Sequence, residues 1–156
     1  MTKVLLSVHV LAAILAIGPI AVAASLFPRY ARQAGSAGSA GAAALLHRIC
    51  GGYAVAAVTV PVFGFATALH MGVLTDAWLV ASIVLTALAA AVLGLSVVPG
   101  QRRVMASVES VAGGGPADAG AGAVNSRLAM STGLFNLLWA VVVVLMIVRP
   151  GSTTGT

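Results

Sequence analysis

Four apolar stretches, each long enough to cross a bilayer, constrain this chain more than anything else in it. Residues 4–27, 50–72, 77–98 and 127–148 are almost free of charge. Each has the roughly 20 residues that a helix needs to cross a hydrocarbon core of about 30 Å. Composition closes off a soluble fold. Of 156 residues, 60% are hydrophobic and 7% charged, and mean hydropathy is +1.09. Soluble domains carry charge at about a quarter of their positions. With only 8 basic and 3 acidic side chains the surface cannot be wetted, so the excess apolar area must face lipid. The expected fold is an all-α integral membrane bundle of four helices forming a single transmembrane domain.

Punctuation marks the ends of the spans. The first stops at Phe27-Pro28-Arg29, the third at Pro99-Gly100-Gln101-Arg102-Arg103 and the fourth at Arg149-Pro150-Gly151. Asn125 and Ser126 are N-cap candidates for the fourth span. The link from Gly72 to Asp76 is short enough to force spans two and three to be antiparallel neighbours. Residues 33–44 (QAGSAGSAGAAA) and 112–123 (AGGGPADAGAGA) read as flexible parts of the connectors 28–49 and 99–126. Between them, RRVMASVES at 102–110 reads as a short surface helix. The glycines lack the Gly-Lys-Ser/Thr ending of a phosphate loop and follow no strand. The rival reading of the first span is a cleavable signal peptide, with a basic start at Lys3 and a small-residue Ala21-Val22-Ala23. Against it, the apolar core outruns the usual ~7–15 residues and contains His9.

The basic residues set orientation. Arg29, Arg32 and Arg48 lie in the first connector and Arg102, Arg103 and Arg127 in the third; only Lys3 and Arg149 oppose them. The positive-inside rule then puts both long connectors in the cytoplasm and both termini on the outer side. The bias toward Ala, Gly and Arg is that of a GC-rich bacterial genome, so the membrane expected is the bacterial inner membrane. Anionic lipid accounts for a pI near 10.8, and nucleic acid is not an expected partner. The expected partners are the lipid bilayer and a second copy or a larger membrane complex. A single cysteine, Cys50, excludes an intrachain disulfide and the Cys-rich zinc and iron–sulfur patterns. It reads as a small apolar residue at a helix end.

The few polar residues inside the spans carry what functional signal there is. His9 sits early in span one, with Ala12, Ala13 and Ala16 on its helical face, a strip that lets a neighbour approach closely. His70 lies near the outer end of span two, in the same leaflet, while His47 reads as solvated at the cytoplasmic interface beside Arg48. Span three offers Trp78, Ser82 and Thr86 on one face, continuing to Ala89 and Ala90. Span four offers Thr132, Gly133, Asn136, Trp139 and Ala140. An amide at mid-membrane needs a partner, because an unpaired one in hydrocarbon costs several kcal/mol. Pro19 and Pro61 each remove a backbone donor and are expected to bend their helices. Two outer-leaflet imidazoles suit haem b, a copper or zinc ion, or a proton relay with Asp76. They equally suit two structural histidines bonded to neighbouring groups.

Three stretches carry a resemblance: VHVLAAILAIGPIAVAASLFPR (8–29), GVLTDAWLVASIVL (72–85) and RLAMSTGLFNLLWAVVVVLMIVRPG (127–151). They resemble a family of small bacterial integral membrane proteins of unknown function. That family is similar to the four-helix membrane proteins that include HemJ-type protoporphyrinogen oxidase and the CopD copper-resistance membrane domain. His9, Ala13 and Gly18 match a first-helix H-x-x-x-A-x-x-x-x-G setting, and Trp78-Leu79 matches a pair opening the third helix. The resemblance implies haem binding through His9. It also implies a lysine three positions after that leucine, where this chain has Ser82, which can neither carry positive charge nor act as a base. Protoporphyrinogen oxidase activity is therefore not expected, and His70 lies outside the matched pattern.

Asp76, Glu109 and Asp118 are the only carboxylates, with no paired acids, no Ser-His-Asp set and no HExxH. The reading that follows is a non-enzymatic accessory membrane protein without catalytic residues. Its first rival is a haem-b or metal-binding redox protein using His9 and His70, supported by Asn136 and Arg149. The second is a small transporter subunit built around the Pro19 and Pro61 kinks.

Overall fold

A computed structural model describes residues 2–33, 37–116 and 120–151. Helix α1 covers Thr2–Arg32, α2 Ala37–Ala56 and α3 Thr59–Met71. Then come α4 (Ala77–Val92), a π-helical turn at Leu93–Val97, α5 (Val98–Ala112) and α6 (Ala121–Val148). No strand occurs among the described residues. The pieces join into 4 helices long and apolar enough to cross a membrane: Lys3–Arg32, Gly38–Met71, Ala77–Val111 and Ala121–Val148.

Helix α1 is the centre of the bundle. It packs against α2, α3, α5 and α6, while α4 packs mainly against α6. Its inner face is Ala16, Ile17, Ile20, Ala23, Ala24 and Phe27, buried at three- and four-residue spacing. Lipid tails are as apolar as leucine, so helices in a bilayer are held by close packing and not by escape from water. Small residues let backbones approach, and Ala16, Ala23, Ala24, Ala43 and Ala89 are all buried. Loss of α1 through Ala23 would strip the main core cluster of Ile17, Ile20 and Ala23.

The helices run longer than the sequence suggests, and each extension has a cause. Of the connector 28–49, residues 28–32 continue α1 and 37–49 are already in α2. Alanine is the best helix former, and Ala43, fully buried against α1, anchors the Gly/Ser-rich start of α2. Pro28 does not end α1, which runs through both Pro19 and Pro28. Pro61 does interrupt its helix. Its ring and missing N–H disturb the carbonyl four residues back, and the break between α2 and α3 falls at Ala57–Val58. Pro99 is accommodated differently, by the wide π-helical turn just before it. Residues 102–110 are helical, but as α5, a continuation of the third span that folds against α2 and α6. Helix α6 begins at Ala121, one turn before the N-cap expected at Asn125 and Ser126. Ser126 instead returns its hydroxyl to the Gly122 carbonyl at 3.1 Å.

Candidate functional site

His9 is buried at the α1–α3 contact. Its Nδ1 lies 2.9 Å from the Val60 carbonyl, so that nitrogen carries the proton and donates. Gly64, one turn along α3, makes room for the ring: a Cβ there would come within 2.8 Å of His9 Cε1. Ala16 is buried and Ala12 and Ala13 half-buried, in keeping with an alanine strip facing inward.

His70 does not share this contact. It lies six residues beyond Gly64, about 9 Å along the helix axis, and is exposed. Asn136 and Arg149, expected to support His9, go elsewhere. Asn136 Nδ2 donates to Ser25 Oγ at 3.0 Å, and Ser25 is sixteen residues, about 24 Å, from His9 along α1. Arg149 closes the end of α6 in a left-handed conformation (φ 45°) and bonds the Met146 carbonyl at 3.3 Å. Its guanidinium stacks 5.6 Å from the centre of the Trp78 ring, and Trp78 Nε1 donates to Asp76 at 3.0 Å. Asp76 is thereby held at the start of α4. Asp118 lies outside the described residues.

A second polar joint was not anticipated. Gln101 is fully buried and bridges two helices: its Oε1 lies 3.0 Å from His47 Nδ1, and its Nε2 donates to Cys50 Sγ at 3.5 Å. Cys50 in turn reaches the Ile20 carbonyl of α1 at 3.9 Å, and His47 packs beside Phe27. His47 is therefore a half-buried joint to Gln101 as well as a residue near the basic end. Gln101 escaped notice because it stands between Pro99-Gly100 and Arg102-Arg103, which read as a loop. The available signal was the one uncharged polar side chain amid that punctuation.

Helix α6 adds two further joints to α1. Asn125 Nδ2 donates to the Pro28 carbonyl at 2.9 Å, which explains why it is no cap. Asn136 makes the second. The inward stripe of α6 is Asn125, Leu128, Thr132, Phe135 and Val142, so Gly133 and Ala140 turn outward from the face assigned to them. On α4, Trp78, Ser82 and Ala89 are buried as expected and Thr86 is half-buried, whereas Ala90 is exposed; Ser82 spends its hydroxyl on the Trp78 carbonyl at 2.8 Å. Among the described residues no group of three or more His, Cys, Asp or Glu is placed to hold a metal ion. Compared with known proteins, the chain matches no family model, no curated protein and no solved structure.

Proposed function

We propose that the chain is a multi-pass protein of the bacterial inner membrane with both termini outside, acting as a non-enzymatic accessory component through lipid and protein contacts. One observation carries this reading. Four buried polar or thiol side chains are engaged in joining helices: His9 to Val60, Gln101 to His47 and Cys50, Cys50 to Ile20, and Asn125 to Pro28. A group held in a helix joint has fewer free atoms with which to act on a substrate. Affinity purification from detergent-solubilised membranes tests it. A stable protein partner or a homo-oligomer is expected, and a monomer that turns over a small molecule overturns it.

A second reading, haem b or a metal ion on His9, has its own support beyond the resemblance to the HemJ and CopD type. A ligating histidine usually donates its other ring N–H to a carbonyl, which fixes the tautomer. His9 does this from Nδ1 toward Val60, so the neutral ring carries its lone pair on Nε2. His70, exposed and further along α3, does not complete the pair, so a second ligand must come from elsewhere. Oxidised and reduced absorption spectra of purified protein decide it: Soret and alpha bands lost in His9→Ala support haem, and a colourless, metal-free protein eliminates it.

A further inference from the structure

A groove of about 220 Å³ runs between α1 and α6 near their arginine-rich ends. Ser25, Arg29, Arg32, Thr132, Gly133 and Asn136 are among its lining residues. Two polar atoms of this lining are unfinished. Thr132 is 3% exposed, yet its Oγ1 has no hydrogen-bond partner, and Asn136 Oδ1 is buried and likewise unpartnered. A hydroxyl inside a helix ordinarily turns back to the carbonyl four residues earlier, as Thr67 does to Phe63 and Ser25 to Ala21. Thr132 does not. The Asn136 amide has its orientation set by its neighbour: Ser25 spends its proton on Ala21 at 2.6 Å and so accepts from Asn136 Nδ2, leaving Oδ1 as a free acceptor.

A ligand that completes this lining must present negative charge to Arg29 and Arg32, accept from Thr132 and donate to Asn136. A phosphodiester bearing a hydroxylated headgroup has all three features. Lipid headgroups of that chemistry stand at the basic ends of membrane-spanning helices. We infer that this groove binds the headgroup of an anionic, hydroxyl-bearing phospholipid, phosphatidylglycerol in chemical type. Arg29 and Arg32 hold the phosphate; Thr132 Oγ1 and Asn136 Oδ1, sealed from solvent as they stand, turn into the groove to donate to it and to take the headgroup hydroxyl. Gly133 leaves the groove open: a Cβ built there meets nothing within 4 Å.

Native mass spectrometry of the full chain in detergent, titrated with phosphatidylglycerol, phosphatidylcholine or inorganic phosphate, tests the assignment. Wild type should retain phosphatidylglycerol over phosphatidylcholine and ignore inorganic phosphate. The double change Arg29→Gln and Arg32→Gln should cost about thirtyfold in affinity. Thr132→Val, which keeps charge and shape, should cost about tenfold. Gly133→Leu should block binding by filling the groove without touching a polar group. All are read at unchanged helix content. The control pair Arg103→Gln and Arg127→Gln, on the groove between α5 and α6, should leave binding intact. Equal retention by Thr132→Val and Gly133→Leu, or an equal loss in the control pair, overturns the site in favour of diffuse basic attraction. Displacement by inorganic phosphate overturns the lipid. The inference rests on the four-span reading, and the two fail separately. A protein that stays soluble without detergent sinks the spans; a detergent-dependent one whose groove variants keep the lipid sinks only the groove.

Discussion

The two halves of the bundle are joined in different ways. In the basic half, α2, α5 and α6 converge on α1 through Gln101, His47, Cys50, Asn125 and Asn136, several of them sharing partners. In the opposite half, α3 meets α1 through one buried side-chain hydrogen bond among the described residues, His9 to Val60, packed against a glycine. The break at Ala57–Val58 lies between the halves, so α3 is not braced by a continuous helix from α2. A shared network fails when its hub is lost, whereas a single joint fails when either member is lost. The distribution also predicts where motion begins: α3 should open before α2 does.

Breaking the hub should have the largest effect. Gln101→Ala leaves a cavity and takes the side-chain partner from His47, and should lower unfolding free energy in detergent by about 3 kcal/mol, read from denaturant titration. Gly64→Ala comes next, since its Cβ must push the His9 ring from its site; a loss of about 2 kcal/mol is expected. His9→Ala should cost about 1–2 kcal/mol, because interhelical hydrogen bonds in membranes are individually modest. The double variant sharpens the contrast. With His9 truncated, the added methyl at position 64 has nothing to meet, and the two losses should fall short of additive by about 1 kcal/mol. Full additivity would show that ring and glycine do not touch. Ser131→Ala should have the smallest effect. It removes the exposed 2.8 Å contact with Ser96, and a change above about 0.6 kcal/mol would mean that surface contacts count as much as buried ones.

Hydrogen exchange locates the same difference along the chain. Amides of α3 should exchange faster than those of α2 in wild type, and His9→Ala should widen the gap while Gln101→Ala closes it by loosening α2. Uniform protection across both helices would remove the distinction between the halves.

The inward turn of His9 was legible because its alanine strip repeats at helical spacing, a local pattern. The polar stripe on α4 was legible for the same reason. Glycine and serine content reads as flexible because it describes an isolated chain, whereas residues 37–44 are helical and Ala43 is held by contact with α1. Expecting an N-cap at Asn125 failed in a related way: the side chain chose a carbonyl on α1, and nothing near it in sequence announces that choice. The groove by Thr132 was invisible, since it exists only where α1 and α6 lie side by side.

Helical class, number of long apolar segments and the inward sense of the main polar stripes were decided residue by residue. Solvation and backbone pairing act at short range, so they can be read along a chain. Which group each polar atom meets was decided only on packing. Asn136 and Ser25 are 111 residues apart, Asn125 and Pro28 97, and His9 and Val60 51. No local pattern encodes such distances, and a hydrogen bond forms only once two helices have come within its reach of about 3 Å.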